Sequence, residues 1–393
     1  MACIIQTSDW HLGRPFGNAI ALAEELRRGQ ADCVAIRMPE AISAQRSEVD
    51  VILVAGDIFD SSEGISEAVV TQATKAFNKL AEIAPVVVIP GNHDEHIPGS
   101  VWEQVRKRKL HTNVKICLEK LDFRVPGTKV VILAVPALAN ESLQDAIGWC
   151  ANKAATLQPD DIPIGLAHGG AINFNSQGVS TIEMLKFTPL KDARIPYMAL
   201  GDWHSYLEVP STDRRVAYSG APEPLKRNDC HCEVGVVLKC TVTSRDQTPL
   251  IEKIPVGKVS WFSMEFTLEA NMSAEDAVKS LEKKIIAKAG SSAKAQSAII
   301  RLRVLGNGLD TTISEIKSVV APGGTLAGSV LAFIPDVDFC SVTSVANQAS
   351  RDEIMTKLSP RMKRTLEGVL ATTDANVREE AERLLFELTR GKL

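Results

Sequence analysis

No run of apolar residues in this chain approaches the roughly 18 needed to cross a bilayer, so no membrane association is expected. Basic residues are not in surplus either: Lys and Arg number 44 against 48 Asp and Glu, a formal charge of −4. A protein that holds nucleic acid by bulk electrostatics carries the opposite balance. The eight cysteines show no framework-like spacing, which argues for reduced thiols rather than a disulfide scaffold. Residues 1–9, "MACIIQTSD", enter a strand-like run at once, without a basic start or a cleavage region; a cytoplasmic location is the expectation. No Walker A pattern occurs, so any ATP dependence must come from a second protein. Histidine is scarce as well, with seven in 393 residues, and their placement is informative.

What is present is ordinary globular composition, 45% hydrophobic and 23% charged, at a length that implies two or three domains. Charge is unevenly divided. Residues 1–240 hold 24 Lys and Arg against 29 Asp and Glu, a formal −5, and residues 241–393 hold 20 against 19, or +1. In the first 240 residues short apolar runs alternate with longer helical patterns: "CIIQTS", a helical stretch over 18–48, "DVILVAG", a second over 66–83, then "PVVVIP". That order predicts right-handed crossovers and a largely parallel sheet. Five further runs ("KVVILAVP", "IPIGLAH", "YMALGD", "RVAYSG" and "VGVVLKC") are too many for one sheet and suggest two packed together.

Polar clusters fall at the carboxyl ends of these runs: Asp9 and His11 in "DWH", Asp57 and Asp60 in "GDIFD", Asn92, His93 and Asp94 in "GNHD", His168 in "AHGG", and Asp202 and His204 in "GDWH". The carboxyl edge of an open α/β sheet is where ligands bind. Singly, "DWH" and "GDIFD" read equally well as strand-end turns and a lone His168 as a hydrogen-bonded histidine, while "GNHD" is the more specific signal. Together they take four of the seven histidines. Asp, Asn and His without thiolate form a mixed oxygen and nitrogen donor set suited to manganese, iron or zinc. They also outnumber what one ion uses. Two ions sharing a carboxylate would use them all, and such a pair suits hydrolysis of a phosphoester.

The series D-x-H, GD-x-x-D, GNHD, H and GD-x-H resembles the calcineurin-like metallophosphoesterase superfamily. More narrowly, "SDWHLG", "VAGDIFD", "PGNHD" and "YSGAPEP" are similar to the SbcD-type DNA repair nucleases. The resemblance implies a two-sheet sandwich flanked by helices over residues 1–255, a small α+β capping domain over 256–345, and a helical segment over 346–393 that clamps an SMC-like coiled-coil ATPase of the SbcC type. It implies that Asp9, His11, Asp57 and His204 hold one divalent ion and that Asp57, Asn92, His168 and Asp202 hold a second. His93 would protonate the leaving oxygen and Asp60 would orient His93. Where the family has Gly-His-x-His this chain reads "GDWH"; a carboxylate there favours manganese or magnesium over iron or zinc. The expected activity is exonuclease and endonuclease cleavage of DNA in double-strand break repair, and a homodimer stays open. Two alternatives remain, a phosphoesterase for small substrates or nucleotides and a non-catalytic DNA-end tether.

Outside the motifs, Arg106, Lys107, Arg108 and Lys109 read either as a solvated helix end or as phosphate contacts for DNA. Cys230 and Cys232, in "CHC", lack finger spacing and read as unbonded thiols. A polar connection over 242–257 is followed by a strand "VSWFSMEFTLEA", a helix capped by Ser273 and ended by Gly290, a strand "AIIRLRVLG", a short helix capped at Thr312, and a strand over 331–339.

Overall fold

The computed structural model describes residues 1–344, except 17–22, 46–47, 139–140, 175–179, 183–185, 210–211, 226–233, 322–323, 327–329, 331 and 334–337. The helical segment expected over 346–393 and the Cys230/Cys232 pair lie outside the described residues. The chain divides into two compact units, Met1–Trp261 and a second from Phe262 onward.

In the first unit, β1 (Ala2–Thr7), β2 (Val51–Ala55), β3 (Val86–Ile89) and β4 (Val114–Ile116) pair in parallel in chain order. A second sheet is built from β5 (Leu121–Arg124), β6 (Val130–Val135) and β7 (Ile162–His168) and, after the small hairpin β8 (Ile172–Phe174) and β9 (Ser180–Ile182), β10 (Tyr197–Gly201), β11 (Leu207–Glu208) and β12 (Val216–Tyr218). Strands β6, β7, β10 and β12 are mutually parallel, with β5 and β11 antiparallel at the edges. The chain then returns to the first sheet as β13 (Val236–Val242) and β14 (Leu250–Pro255), each antiparallel to its neighbour. Residues 250–255 are therefore an edge strand rather than part of the polar connection expected over 242–257. Ile251 and Ile254 are buried, one in each of the two interiors, with exposed Glu252 and Lys253 between them, so the period-two signal of a strand is missing and the proline and charges suggest a linker.

Period-two alternation along the strands sorts apolar residues between two interiors. Ile4, Leu53 and Val87 face the second sheet and meet Ile132, Ile164, Leu166, Tyr197 and Ala199. Their neighbours Ile5, Val54 and Val88 turn the other way onto Val70, Ala73, Phe77 and Leu80 of the helix Glu67–Ala81. That helix starts where the Ser66 hydroxyl accepts from the Val69 N–H. On the outer face of the second sheet, Val131, Leu133 and Val135 pack on Leu143, Ile147 and Cys150 of the helix Leu143–Ala154. The result is a two-sheet sandwich flanked by helices. The helical stretch expected over 18–48 is interrupted by a π-turn, Cys33–Arg37, just before Pro39, which has no N–H to offer the preceding turn. Cys3, Cys33, Cys117, Cys150 and Cys240 are buried and none is in a disulfide.

One polar side chain spans the sandwich. Gln6, fully buried in β1, donates to the carbonyls of Leu200 and Ala217 at 2.9 and 3.0 Å and accepts from the Tyr197 hydroxyl. Every polar atom of its amide is used, so the polar group costs little where it lies, and it locks the two sheets in register beside their carboxyl ends.

The second unit contains most of β15 (Ser260–Leu268), together with β16 (Ala298–Gly308), β17 (Ala332–Phe333) and β18 (Asp338–Ser344), with β16 hydrogen-bonded to the other three. The strand expected over 331–339 is thus two, both parallel to β16. The helix Ala274–Ala289 has the expected Ser273 cap and Gly290 end, and buries Ala277, Leu281 and Ile285. The helix after β16, Asp310–Val320, begins before the expected cap: Thr312 lies inside it, buried, and donates to the Met272 carbonyl at 2.9 Å. Tertiary bonding there outcompetes the local capping motif.

Truncating Phe77, fully buried against Trp10 at 5.4 Å between ring centroids, should cost about 3–5 kcal/mol in Phe77→Ala. Urea unfolding followed by circular dichroism tests this against exposed Lys75→Ala, and a loss under about 1 kcal/mol would contradict the packing described.

Candidate metal centre

Strands β1, β2, β3, β7 and β10 all point their carboxyl ends to one rim, and each hands the chain to a polar turn. Asp9, His11, Asp57 and Asp202 adopt positive φ there, at 54°, 45°, 54° and 106°. Residues with a Cβ rarely accept this region, and such strain concentrates at functional sites. The glycines before the ligands are required by close approach. A Cβ on Gly91 would lie 2.1 Å from Asp57 Oδ1, and one on Gly201 would lie 1.9 Å from the Ala55 carbonyl oxygen. Turns from both sheets are therefore in backbone contact, and the "GD" and "GN" pairs record that constraint.

Within this rim the ligating atoms of Asp9, His11 and His204 lie within 4.8 Å of one another, as do those of Asp9, Asp57 and His168 and those of His11, Asp57 and His93. Asp57 is central. Its Oδ2 is 3.4 Å from His11 Nε2, and its Oδ1 is 3.5 Å from His168 Nε2 and accepts from the His93 N–H at 3.0 Å. The other ring nitrogens are occupied. His168 Nδ1–H donates to the Ala55 carbonyl at 2.8 Å and His11 Nδ1 is 2.9 Å from Asp60 Oδ1. These bonds aim both Nε2 atoms at the centre, as the hydrogen bonds behind metal-ligating histidines do. His168 Nε2 is also 2.8 Å from Asn92 Oδ1 and 3.9 Å from Asp202 Oδ1. Every residue expected to bind metal is thus gathered in this neighbourhood, with His204 edge-on to His11 at 4.9 Å between centroids.

Two expectations need adjustment. The Asp60 carboxylate does not orient His93. It bonds His11 Nδ1 and the Arg14 guanidinium, the latter at 2.8 Å, and it is the Asp60 backbone carbonyl that lies 3.2 Å from His93 Nδ1. The side chain points into the rim, where the buried imidazole holds it, while the peptide faces outward. Of the four basic residues, Arg106 is exposed in the last turn of the helix Val101–Arg106 and Lys107 and Lys109 are exposed just beyond it, whereas Arg108 is half-buried and 3.6 Å from Glu67.

Asp94 shapes its turn, as its place in the motif suggests, and further participants were not apparent beforehand. Asp94, fully buried, accepts from the backbone N–H groups of Ile58, Phe59 and Gly91 at 2.9, 3.1 and 2.6 Å, which clamps the "GNHD" turn to the "GDIFD" turn. Ser8 donates to Asp9 Oδ2 at 2.5 Å, and Arg14 lies beyond Asp60. In "YSGAPEP", the Ala221 N–H donates to the His204 carbonyl at 3.0 Å and buried Glu223 holds Arg37 and the N–H groups of Lys258 and Val259. The available signal was polar or acidic residues next to the motif ligands in otherwise apolar surroundings.

The electrostatics call for a cation. Burial first, and then the charge of Asp57 against the pull of His168, holds the Asp9 carboxyl well above the usual carboxylate range. Burial likewise raises Asp202, with His168 opposing and Asp57 reinforcing. Burial works to lower His168, but Asp57, Asp9 and Asp202 outweigh it and raise the imidazole. His11 is lowered by burial, and its Nε2 is buried without a hydrogen bond. A borderline or hard divalent cation would satisfy that orphaned nitrogen and compensate the crowded carboxylates. The residues present therefore fit a metal centre.

Residues 4–193 match the calcineurin-like phosphoesterase family. The first unit belongs to that family. Its members are metal-dependent phosphoesterases, in keeping with the clustered Asp and His donors. Among curated relatives, the SbcD component of the nuclease SbcCD from Staphylococcus epidermidis is 23% identical over 239 residues, 56% of this chain and 60% of that one. The protein of the same name from Staphylococcus saprophyticus is 33% identical over 130 residues, 30% of this chain and 32% of its own length. The chain thus spans less than two thirds of either relative. Among the described residues no helix is long and apolar enough to cross a membrane.

Because Asp9, Asp202 and His168 retain protons at a pH where their ordinary counterparts have shed them, a cation must displace protons to enter. Manganese affinity should therefore rise with pH, and calorimetric titration in two buffers of different ionisation heat should reveal proton release. Identical heats in both buffers would contradict this arrangement.

Proposed function

We propose that this chain is a two-metal DNA nuclease that hydrolyses phosphodiester bonds at ends and internally, acting in double-strand break repair with an SMC-like coiled-coil ATPase of the SbcC type. The observation that carries the reading is the convergence of ligands from five separate segments on Asp57, with the buried His11 Nε2 lacking any hydrogen bond. Asp9, His11, Asp57 and His204 would hold one ion, and Asp57, Asn92, His168 and Asp202 the other. Manganese is the favoured ion, since Asp202 supplies a hard oxygen donor. When bound, such a pair lowers the pKa of a water and clamps the oxygens of an in-line displacement at phosphorus.

The chain's own residues do the rest. His93 is exposed, and as the imidazolium, with Nδ1–H on the Asp60 carbonyl, it has an Nε2–H to give to the leaving oxygen, leaving the neutral imidazole. Such an acid contributes about 10²–10⁴ in rate. His11 is held by Asp60, and Asp60 by Arg14, so the imidazole cannot turn away from Asp57. The protonated form of His168, bonded through Nδ1 to Ala55 and through Nε2 to Asn92, occupies the place of a cation and gives up its Nε2 proton when one arrives. Arg106, Lys107 and Lys109 are free to meet backbone phosphates, which positions DNA without reading its bases. The two relatives, both named as components of the nuclease SbcCD, support DNA as substrate and the SbcC-type partner; the partner would dock on the segment 346–393.

His93→Ala should keep both ions and lose nuclease activity by about 10²–10⁴, whereas Asp57→Ala should lose the ions. Equal metal loss in the two variants, read by elemental analysis, would contradict these roles. With manganese present, labelled linear duplex and hairpin DNA should be cut. Rapid turnover of chromogenic esters with DNA untouched would overturn the substrate.

A further inference from the structure

Two buried serines from opposite ends of the first unit meet behind the first ion's ligands. Ser8 and Ser219 are both fully buried, and their hydroxyl oxygens are 3.0 Å apart. Ser8 donates its single proton to Asp9 Oδ2 at 2.5 Å, while the other carboxylate oxygen, Oδ1, accepts from the Asp202 N–H at 3.0 Å. With Asp9 ionised, as it would be once a cation has displaced its proton, Ser8 has no proton left for Ser219, so Ser219 is the donor between them, its one proton lying between Ser8 Oγ at 3.0 Å and the Gly220 carbonyl at 3.3 Å. The Asp9 carboxylate is thereby fixed in rotation with one donor on each oxygen, and each oxygen keeps a lone pair for another partner.

Ser219 opens the loop that also carries the brace on His204. The Ala221 N–H donates to the His204 carbonyl at 3.0 Å, and a Cβ on Gly220 would lie 2.7 Å from that carbonyl oxygen and 2.6 Å from the Ser205 carbonyl carbon. The loop's far end is anchored by Glu223, which accepts from Lys258 N and Val259 N at 2.9 and 3.1 Å and pairs with Arg37. One short segment therefore reaches Asp9 through a hydroxyl relay and His204 through its backbone.

We infer that Ser8 and Ser219 are positioning residues that set the affinity of the first ion by coupling the Asp9 carboxylate to the loop that braces His204. This rests on the metal-centre reading above. Neither serine is a metal ligand, and each acts only through the residue it bonds. Removing the relay lets the Asp9 carboxylate rotate away from the first ion, while Asn92 and His168, held by other partners, stay in place.

The test uses manganese alone as probe on the full chain, with binding followed by calorimetry and by the electron paramagnetic resonance of unbound Mn²⁺. Ser8→Ala should weaken one of two binding steps by about tenfold to a hundredfold and leave the other step within a few fold. Ser219→Ala should weaken the same step less. The double variant should be no weaker than Ser8→Ala, because the two hydroxyls act in series. Thermal melting of each variant reports whether the fold is retained. Wild-type affinity in both single variants, additive losses in the double variant, or equal weakening of both steps would each overturn the proposal while the metal centre stood. Absence of manganese binding by the wild-type chain would overturn the metal centre and the proposal together.

Discussion

Like charges forced together in a dry place are the constraint on which the rim depends. Asp9, Asp57 and His168 are nearly or wholly buried and Asp202 stands close beside them. Burying a carboxylate without a counter-charge is costly, and the upward displacement of Asp9 and Asp202 reflects that cost. Retained protons on Asp9, Asp202 and His168 offset part of that cost. The surrounding structure supplies oriented donors, such as the Asp202 and His93 N–H groups, that fix the carboxylate oxygens in place. What remains is a pocket of directed donor atoms whose protons a cation would displace, which is a description of a cation site.

The sandwich exists around that rim in a specific mechanical sense. Parallel strands of two sheets end at the same level, Gln6 ties the sheets one turn before Asp9, and the Ala55 carbonyl of one sheet receives His168 of the other. Glycines at 91 and 201 let the turns touch at distances no side chain would permit. Asp94 then joins the turns after β2 and β3. Precision in the site is therefore set by backbone contact between turns, and the positive φ values of its residues are maintained by these surrounding bonds.

Much of this was legible in the sequence because the strands are short, strongly apolar and end in polar residues. "VILVA", "VVVI" and "YMALG" could not be mistaken for helix surface, and the polar residues after them fell at the rim. The clustering of Asp and His side chains at the rim was legible for the same reason. Less so were features that depend on which atoms meet across the fold. Asp60 lies three residues from Asp57 in any reading, but only the folded turn shows its carboxylate on His11 and its carbonyl on His93. Thr312 carries a capping motif in sequence, but its hydroxyl is taken by Met272. β14 looked like a linker because Glu252 and Lys253 at its middle are charged and its last residue is proline, a pattern an edge strand tolerates. Ser8 and Ser219 meet only because β1 and the loop after β12 converge.

Asp57 is proposed to lie between a pair of cations. Anomalous diffraction from crystals soaked in manganese addresses it directly. Two peaks roughly 3.5 to 4 Å apart, on either side of the Asp57 carboxylate, are predicted. A single peak, or peaks away from Asp57, would contradict the account.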